Sequence, residues 1–319
     1  MRKYCLKRSL ALIPTLFVIS VILFALVKMM PGDPVAMMMD PHTKPELYAA
    51  SYAVKKEELG YNDTLPVQYI RYMEHLLKGE YGYSSSYQRP VSDVVTKPLM
   101  NTIMLNGIVF LLSCLLSLTI GVYCAVKKDG YVDRLMQYVS IVSISLPSFL
   151  LGAAFLYLFS FSLHLIPIGT VSSPSLIDKA VHMILPVLTL TLLLSGNWIR
   201  YVRNAMIQAL SADYILALRS RGIHRRRIVG VHALRNAMLP IMHVAVMELP
   251  NLISGSLLIE VLFSYNGIGS IMIHALMMRD CYLILSLNLL YALLYVLSSF
   301  TMDLLSAYLD PRIRLDKHG

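Results

Sequence analysis

The chain has 319 residues, 56% of them hydrophobic and only 15% charged, with a formal net charge of +9. Soluble domains carry roughly one quarter charged residues, so this composition excludes an ordinary soluble globule. The basic residues lie in short stretches between apolar runs, which argues against a nucleic-acid-binding domain with a single basic face.

In chain order, the first apolar run, 9–30, follows "MRKYCLKR". It is longer than the roughly 7–15 residues of a signal-peptide core and no small-x-small site follows, so an uncleaved helix is predicted. Segment 31–98 comes next and contains "PELYAASYAVKKEELG" and "LPVQYIRYMEHLLKGE". Helical spacing in the second puts Val67, Ile70, Met73 or Glu74, and Leu77 near one face. Eight of the chain's 20 tyrosines lie in this segment, and tyrosine suits a surface that is partly apolar and partly wet. A small cap and a docking surface for an external partner both fit it. Five more apolar runs follow at 99–126, 135–161, 181–202, 237–262 and 282–307, each long enough to cross a hydrocarbon core of about 30 Å as a helix. The expected fold is an all-α integral membrane protein with six transmembrane helices. Its parts are 1–30, the external segment 31–98, and a five-helix core over 99–319 that holds a loop at 203–236.

Basic residues set the orientation. Lys and Arg number four in 1–8, three in 127–134, eight in 200–236 and three in 310–319, against one each in 162–180 and 263–281. The positive-inside rule therefore places both termini and the 203–236 loop in the cytoplasm. Segment 31–98 carries seven such residues, but loops beyond about 60 residues escape the rule. The expected location is the plasma or inner membrane.

Several features within the spans could carry function. Ser113, Ser117, Gly121 and Ala125 recur every fourth residue, a spacing that lets helices pack closely or lines a passage. Ionisable residues inside spans are costly and point to function. Lys28, Asp303 and Glu260 lie near span ends and can reach the interface. Glu248 is near the middle of the fifth span, followed by Asn251, Ser254 and Gly255. It is either a hydrogen-bonded packing residue or part of a translocation path with those three. His243 is poorly placed as its same-face partner, and Pro240, Pro250 and Gly255 are expected to kink this span. Cys5, Cys114, Cys124 and Cys281 show neither CxxC nor another metal-like spacing, so neither a disulfide framework nor a metal site is expected. The chain contains no GxxxxGK[ST], hence no P-loop of its own.

The stretch "ALRSRGIHRRRIVGVHALRNAMLP", 217–240, places six arginines and two histidines between apolar spans. "SADYILALRSRG" before and within it predicts a helix of about two turns. Ser211 or Asp213 would cap its start, arginines occupy the last turn where the helix dipole favours cations, and Gly222 supplies the left-handed position beyond the end. Such a helix serves either as a connector lying on anionic lipid or as a rigid lever for another protein.

Residues 214–240, "YILALRSRGIHRRRIVGVHALRNAMLP", resemble the cytoplasmic loop of ATP-binding-cassette (ABC) importer permeases of the dipeptide, oligopeptide and nickel branch. "PGDP" at 31–34, "LPVQYIRY" at 65–72, "GYSSSYQRPV" at 82–91, "FSYNGIG" at 263–269 and "LDPRIR" at 309–314 match the same branch in order, so the resemblance covers essentially the whole chain. Leu216-Ala217-Leu218 stands where the wider superfamily has Glu-Ala-Ala, the glycine-to-proline interval is longer, and Tyr265-Asn266 replaces a frequent Trp-Pro. The resemblance implies a type I ABC importer permease fold in which Tyr214–Gly222 is the coupling helix. Asp213, Tyr214, Ala217, Leu218, Arg219, Arg221 and Gly222 would then meet a cytoplasmic ATPase. It implies as partners a second homologous permease, two ABC ATPases that bind ATP and Mg, and an extracellular binding protein, while this chain binds no cofactor and performs no covalent chemistry. The cargo expected is a peptide, with nickel or another chelated metal as the alternative. An ion-coupled transporter or channel acting alone is the rival class, but neither an internal repeat nor an acidic midplane cluster supports it.

Overall fold

The computed structural model describes residues 2–30, 33–37, 39, 45–58, 60–167, 176–248 and 257–309. In chain order the helices are α1 (Arg2–Lys28), α2 (Pro34–Met37), α3 (Pro45–Glu58), α4 (Leu65–Leu77), α5 (Val91–Val126), α6 (Tyr131–Ser145), α7 (Ser148–Phe155), α8 (Leu176–Ser211), α9 (Asp213–Ser220), α10 (Arg225–Arg227), α11 (Leu234–Met247), α12 (Leu257–Leu262), α13 (Ile268–Met277) and α14 (Cys281–Leu309). π-helical turns extend α7 over Leu156–Ser162 and join α10 to α11 over Ile228–Ala233. A two-residue antiparallel ladder, β1 (Tyr83–Ser84) with β2 (Arg89–Pro90), interrupts the helices.

Among the described residues, five helices are long and apolar enough to span a membrane: Leu10–Lys28, Val91–Val126, Ile177–Ser211, Arg225–Met247 and Cys281–Thr301. A sixth span requires that α6 and the helix from Ser148 to Ser162 count as one, although they bend by 105°. Pro147 explains the break. A residue before proline is pushed out of the helical region, and Leu146 is extended with ψ 125°. The helical stretch expected to begin at 237 instead begins at Arg225, because the His224 side chain accepts the Arg226 N–H at 3.2 Å and starts the helix early. Asn251, Ser254, Gly255 and Pro250 lie outside the described residues, as do Pro31, Gly32 and 310–314 of the quoted motifs.

The chain forms two compact units. The first comprises residues 1–101 and 266–296. Its core joins Phe24 of α1, Tyr72 of α4 and Leu285 of α14, with Tyr69, Met73 and Leu76 packed against them. The buried face of α4 is thus Tyr69, Tyr72, Met73 and Leu76, whereas Val67, Ile70 and Leu77 are exposed, contrary to the aliphatic face expected. Aromatic area outweighs aliphatic here: Phe24 and Tyr69 meet edge to face at 5.5 Å, and Tyr69 hydrogen-bonds Ser20 at 2.7 Å. The hairpin is held by Asp280, whose Oδ2 accepts from Ser84 Oγ (2.5 Å), Ser86 N (3.0 Å) and Ser86 Oγ (2.7 Å). Its Oδ1 accepts the Leu283 N–H at the start of α14, so one buried carboxylate joins a helix end to the hairpin.

The second unit comprises 102–265 and 297–319. The four-residue stripe on α5 proves to be a packing seam against α8. Ser113 and Ser117 hydroxyls donate to the carbonyls of Thr191 and Ser195, at 3.5 and 3.3 Å. A Cβ on Gly121 would come within 2.7 Å of Val202 Cβ and 3.1 Å of the Ile199 carbonyl oxygen. Near one end of the seam lies a core of Ala125, Val202, Met206, Ile215, Ile228, Ala233 and Ala237.

Candidate ATPase-coupling surface

The coupling helix expected over Tyr214–Gly222 is built on that core. α8 stops at Ser211 because Ala212 is extended, with φ −74° and ψ 147°, and α9 restarts at Asp213. Neither predicted cap forms. Ser211 Oγ instead donates to the Gln208 carbonyl at 3.0 Å within α8, and Asp213 is the first helical residue rather than the cap. Asp213 still places a negative charge in the first turn, where the dipole favours it.

The inner face of α9 is centred on one fully buried residue. Ile215, 2% exposed, enters the core beside Met206, Ile228 and Ala233, with Tyr214 and Leu218 partly buried around it. The other face is open: Asp213, Leu216, Ala217 and Ser220, spaced three and four apart, are all exposed. Leu216 is 72% exposed, a bulky apolar side chain at the centre of this face. Arg219 and Arg221 are exposed at the C-terminal end of α9. Of the coupling residues expected from sequence, Asp213, Ala217, Arg219, Arg221 and Gly222 lie on the outside, and Tyr214 and Leu218 help to seat the helix. Leu216 was missing from that set, yet its spacing of three from Asp213 carried the signal.

Gly222 adopts φ +73°, the left-handed conformation expected of it. Its N–H donates to the Arg219 carbonyl at 2.9 Å, and that of Ile223 to the Leu218 carbonyl at 3.2 Å, closing the helix. A Cβ at Gly222 would meet nothing within 4 Å, so the constraint is backbone conformation rather than space. Beyond it, Arg225, Arg226 and Arg227 are exposed, and an Arg225 Nη donates to the Val126 carbonyl at 3.3 Å.

An ion pair between α6 and α8 braces the helices that lead to this surface. Arg203 of α8 grips Asp133 of α6 in bidentate fashion, Nε to Oδ1 at 2.5 Å and Nη2 to Oδ2 at 2.7 Å. Asp133 is fully buried and its Oδ2 also accepts the Asp129 N–H at 2.9 Å. Two parallel charge-assisted bonds fix both separation and rotation of the helices that carry them.

Of the expected path residues, Glu248 alone lies within the described residues. Glu248 does not occupy the middle of a continuous helix: α11 ends at Met247 and Glu248 is its C-cap, partly buried. Glu260 does not reach out to an interface. It is fully buried on α12, where Oε1 accepts the Thr102 hydroxyl at 2.9 Å. A buried carboxyl must be hydrogen-bonded or neutral, so Glu260 is a structural polar contact between helices.

Two family profiles match the chain. "Binding-protein-dependent transport system inner membrane component" covers residues 117–315, and the N-terminal profile of the same kind of membrane component covers residues 1–106. Similar proteins include the glutathione transport system permease protein GsiC of Salmonella paratyphi A and that of Salmonella typhimurium, each 33% identical over 314 residues, covering 98% of this chain and 99% of the relative. The GsiC protein of Escherichia coli strain K12 is 32% identical over the same coverage.

Proposed function

Because the chain belongs to the binding-protein-dependent transport system inner membrane components and is the permease subunit of an ABC importer, we propose that it admits short peptides and is driven through the outward face of α9. It is a transport component and not an enzyme. The observation that carries the reading is the exposed Asp213-Leu216-Ala217-Ser220 face on a helix whose opposite face is seated in the core by Ile215, Tyr214 and Leu218. An apolar side chain presented in this way suits a pocket on a partner, and the surrounding charges set its orientation.

In this account both termini and α9 face the cytoplasm. A second permease pairs with this one, two ATPases bind ATP and Mg beneath them, and an extracellular binding protein delivers cargo from above. Closure of the ATPases on ATP shifts α9, and the Arg203–Asp133 brace passes that shift from α8 to α6 as a rigid unit. The helices then alternate between two arrangements, and ATP biases which one is populated. Small peptides are the proposed cargo class, because relatives that match along nearly their whole length are named for glutathione, itself a tripeptide.

Uptake of labelled glutathione, a labelled tripeptide and labelled nickel, compared in cells lacking the gene and in complemented cells, tests the cargo. Loss of glutathione or tripeptide uptake alone, restored on complementation, is the expected result. Loss confined to nickel would replace the cargo while leaving the importer intact.

A further inference from the structure

The first unit contains a cavity of about 940 Å³ between α1, α4, the 80–83 segment and the first turn of α14. Its volume falls within the range of small-molecule sites. Its lining is graded along α1. Phe17, Val21 and Phe24 line one end, within the apolar span Leu10–Lys28, and Phe17 and Val21 are exposed. Lys28, Arg71 and His75 line the other end, where the span stops. Such a gradient, hydrocarbon below and cations above, marks a membrane interface.

The cations differ in their partners. Arg71 lies 3.0 Å from Asp63, an ion pair by distance although the contact lacks hydrogen-bond alignment. His75 meets Glu80 at 2.5 Å. Lys28 has no carboxylate within ion-pair distance among the described residues. Its ammonium stands 3.8 Å from the centroid of the Tyr61 ring and 5.4 Å from that of Phe24, so aromatic faces hold it in the cavity wall. A cation held by aromatic faces at the end of the span, above an apolar cleft, matches an anion that carries acyl chains.

We propose that this cavity binds one anionic phospholipid, its phosphate at Lys28 and an acyl chain along Val21, Ala25 and Phe24. The lipid fills the cleft between α1 and α4 and so ties the first membrane helix to the segment 31–98.

Native mass spectrometry of the full-length chain, purified in detergent with the subunits that accompany it, reads bound lipid directly. Dioleoylphosphatidylglycerol and dioleoylphosphatidylcholine serve as probes, for the wild type and for Lys28→Gln, Lys28→Arg and Ala25→Trp. The wild type should retain the anionic lipid in preference to the zwitterionic one, and Lys28→Gln should lower that retention about fivefold, the effect of one cation at a lipid surface. Lys28→Arg should stay close to wild type. Ala25→Trp, which fills the apolar cleft from an exposed helix position and leaves the charge intact, should also release the lipid. Equal retention of both lipids, or unchanged retention in Lys28→Gln or Ala25→Trp, would overturn the proposal. Displacement of the lipid by millimolar glycerophosphate would do the same, assigning Lys28 to soluble phosphate. If instead Ala25→Trp released a copurifying protein and kept the lipid, the cavity would be a protein-docking surface and the proposal would fall.

Discussion

Two residues show how single positions govern this molecule. Asp280 collects three bonds from the hairpin and one from the start of α14. Replacing it with alanine leaves the buried Ser84 hydroxyl without its acceptor, and each such loss costs about 1–3 kcal/mol. Asp280→Ala is therefore expected to lower the thermal midpoint of the purified chain and to expose the 82–91 stretch to protease, and a midpoint equal to wild type would remove Asp280 from this role. Gly222 works through backbone alone. Gly222→Val puts a β-branched residue at φ +73°, a conformation such residues avoid, and frays the closing turn of α9. Transport should be abolished while the amount of chain in the membrane is preserved. Gly222→Ala should do less harm, because an unbranched side chain tolerates this left-handed conformation better than a β-branched one. Uptake assays paired with membrane immunoblots separate these outcomes.

At the scale of elements, helix contacts are specific enough to test. On the α5 seam, a side chain at Gly121 collides with Val202 and with backbone, so Gly121→Val must push α5 from α8. A loss of about 1–3 kcal/mol is expected, measurable as reduced resistance to denaturing detergent. The Arg203–Asp133 brace gives a larger effect. Asp133→Ala strands Arg203, whose side chain is only 13% exposed, and such losses run to about 3–5 kcal/mol. The double variant Asp133→Ala with Arg203→Met should recover much of that stability but not transport, if the bidentate grip transmits movement. Full recovery of both would make the pair a packing feature only. Helices α1, α5, α8 and α14 were legible from apolar length and the end of α9 from Gly222, because those signals are local. The face of α4 was not, because the aliphatic spacing at 67, 70 and 77 competes with the tyrosines at 69 and 72, and the outcome depends on Phe24 of α1. Glu260 was misread for the same reason: its partner Thr102 lies 158 residues away in sequence. The exposure of Leu216 depends on which face Ile215 anchors, and that is fixed by the distant Met206 and Ile228.

For the whole molecule, the ordered motifs along the chain pointed to an ABC importer permease, and the family profiles cover residues 1–106 and 117–315. The charge asymmetry predicts the cytoplasmic side, and the α9 face predicts where energy enters. Both converge on one variant. Leu216→Asp replaces the exposed apolar centre of α9 with a charge, leaves Ile215 in its core, and should fold and insert normally. Uptake of a labelled tripeptide is measured in deletion cells carrying either the wild-type chain or Leu216→Asp at equal membrane abundance. Restoration by the wild type with at least about a tenfold loss in the variant, the effect of removing one interface anchor of about 1.4 kcal/mol or more, is the result this account predicts. Full uptake by Leu216→Asp would contradict it.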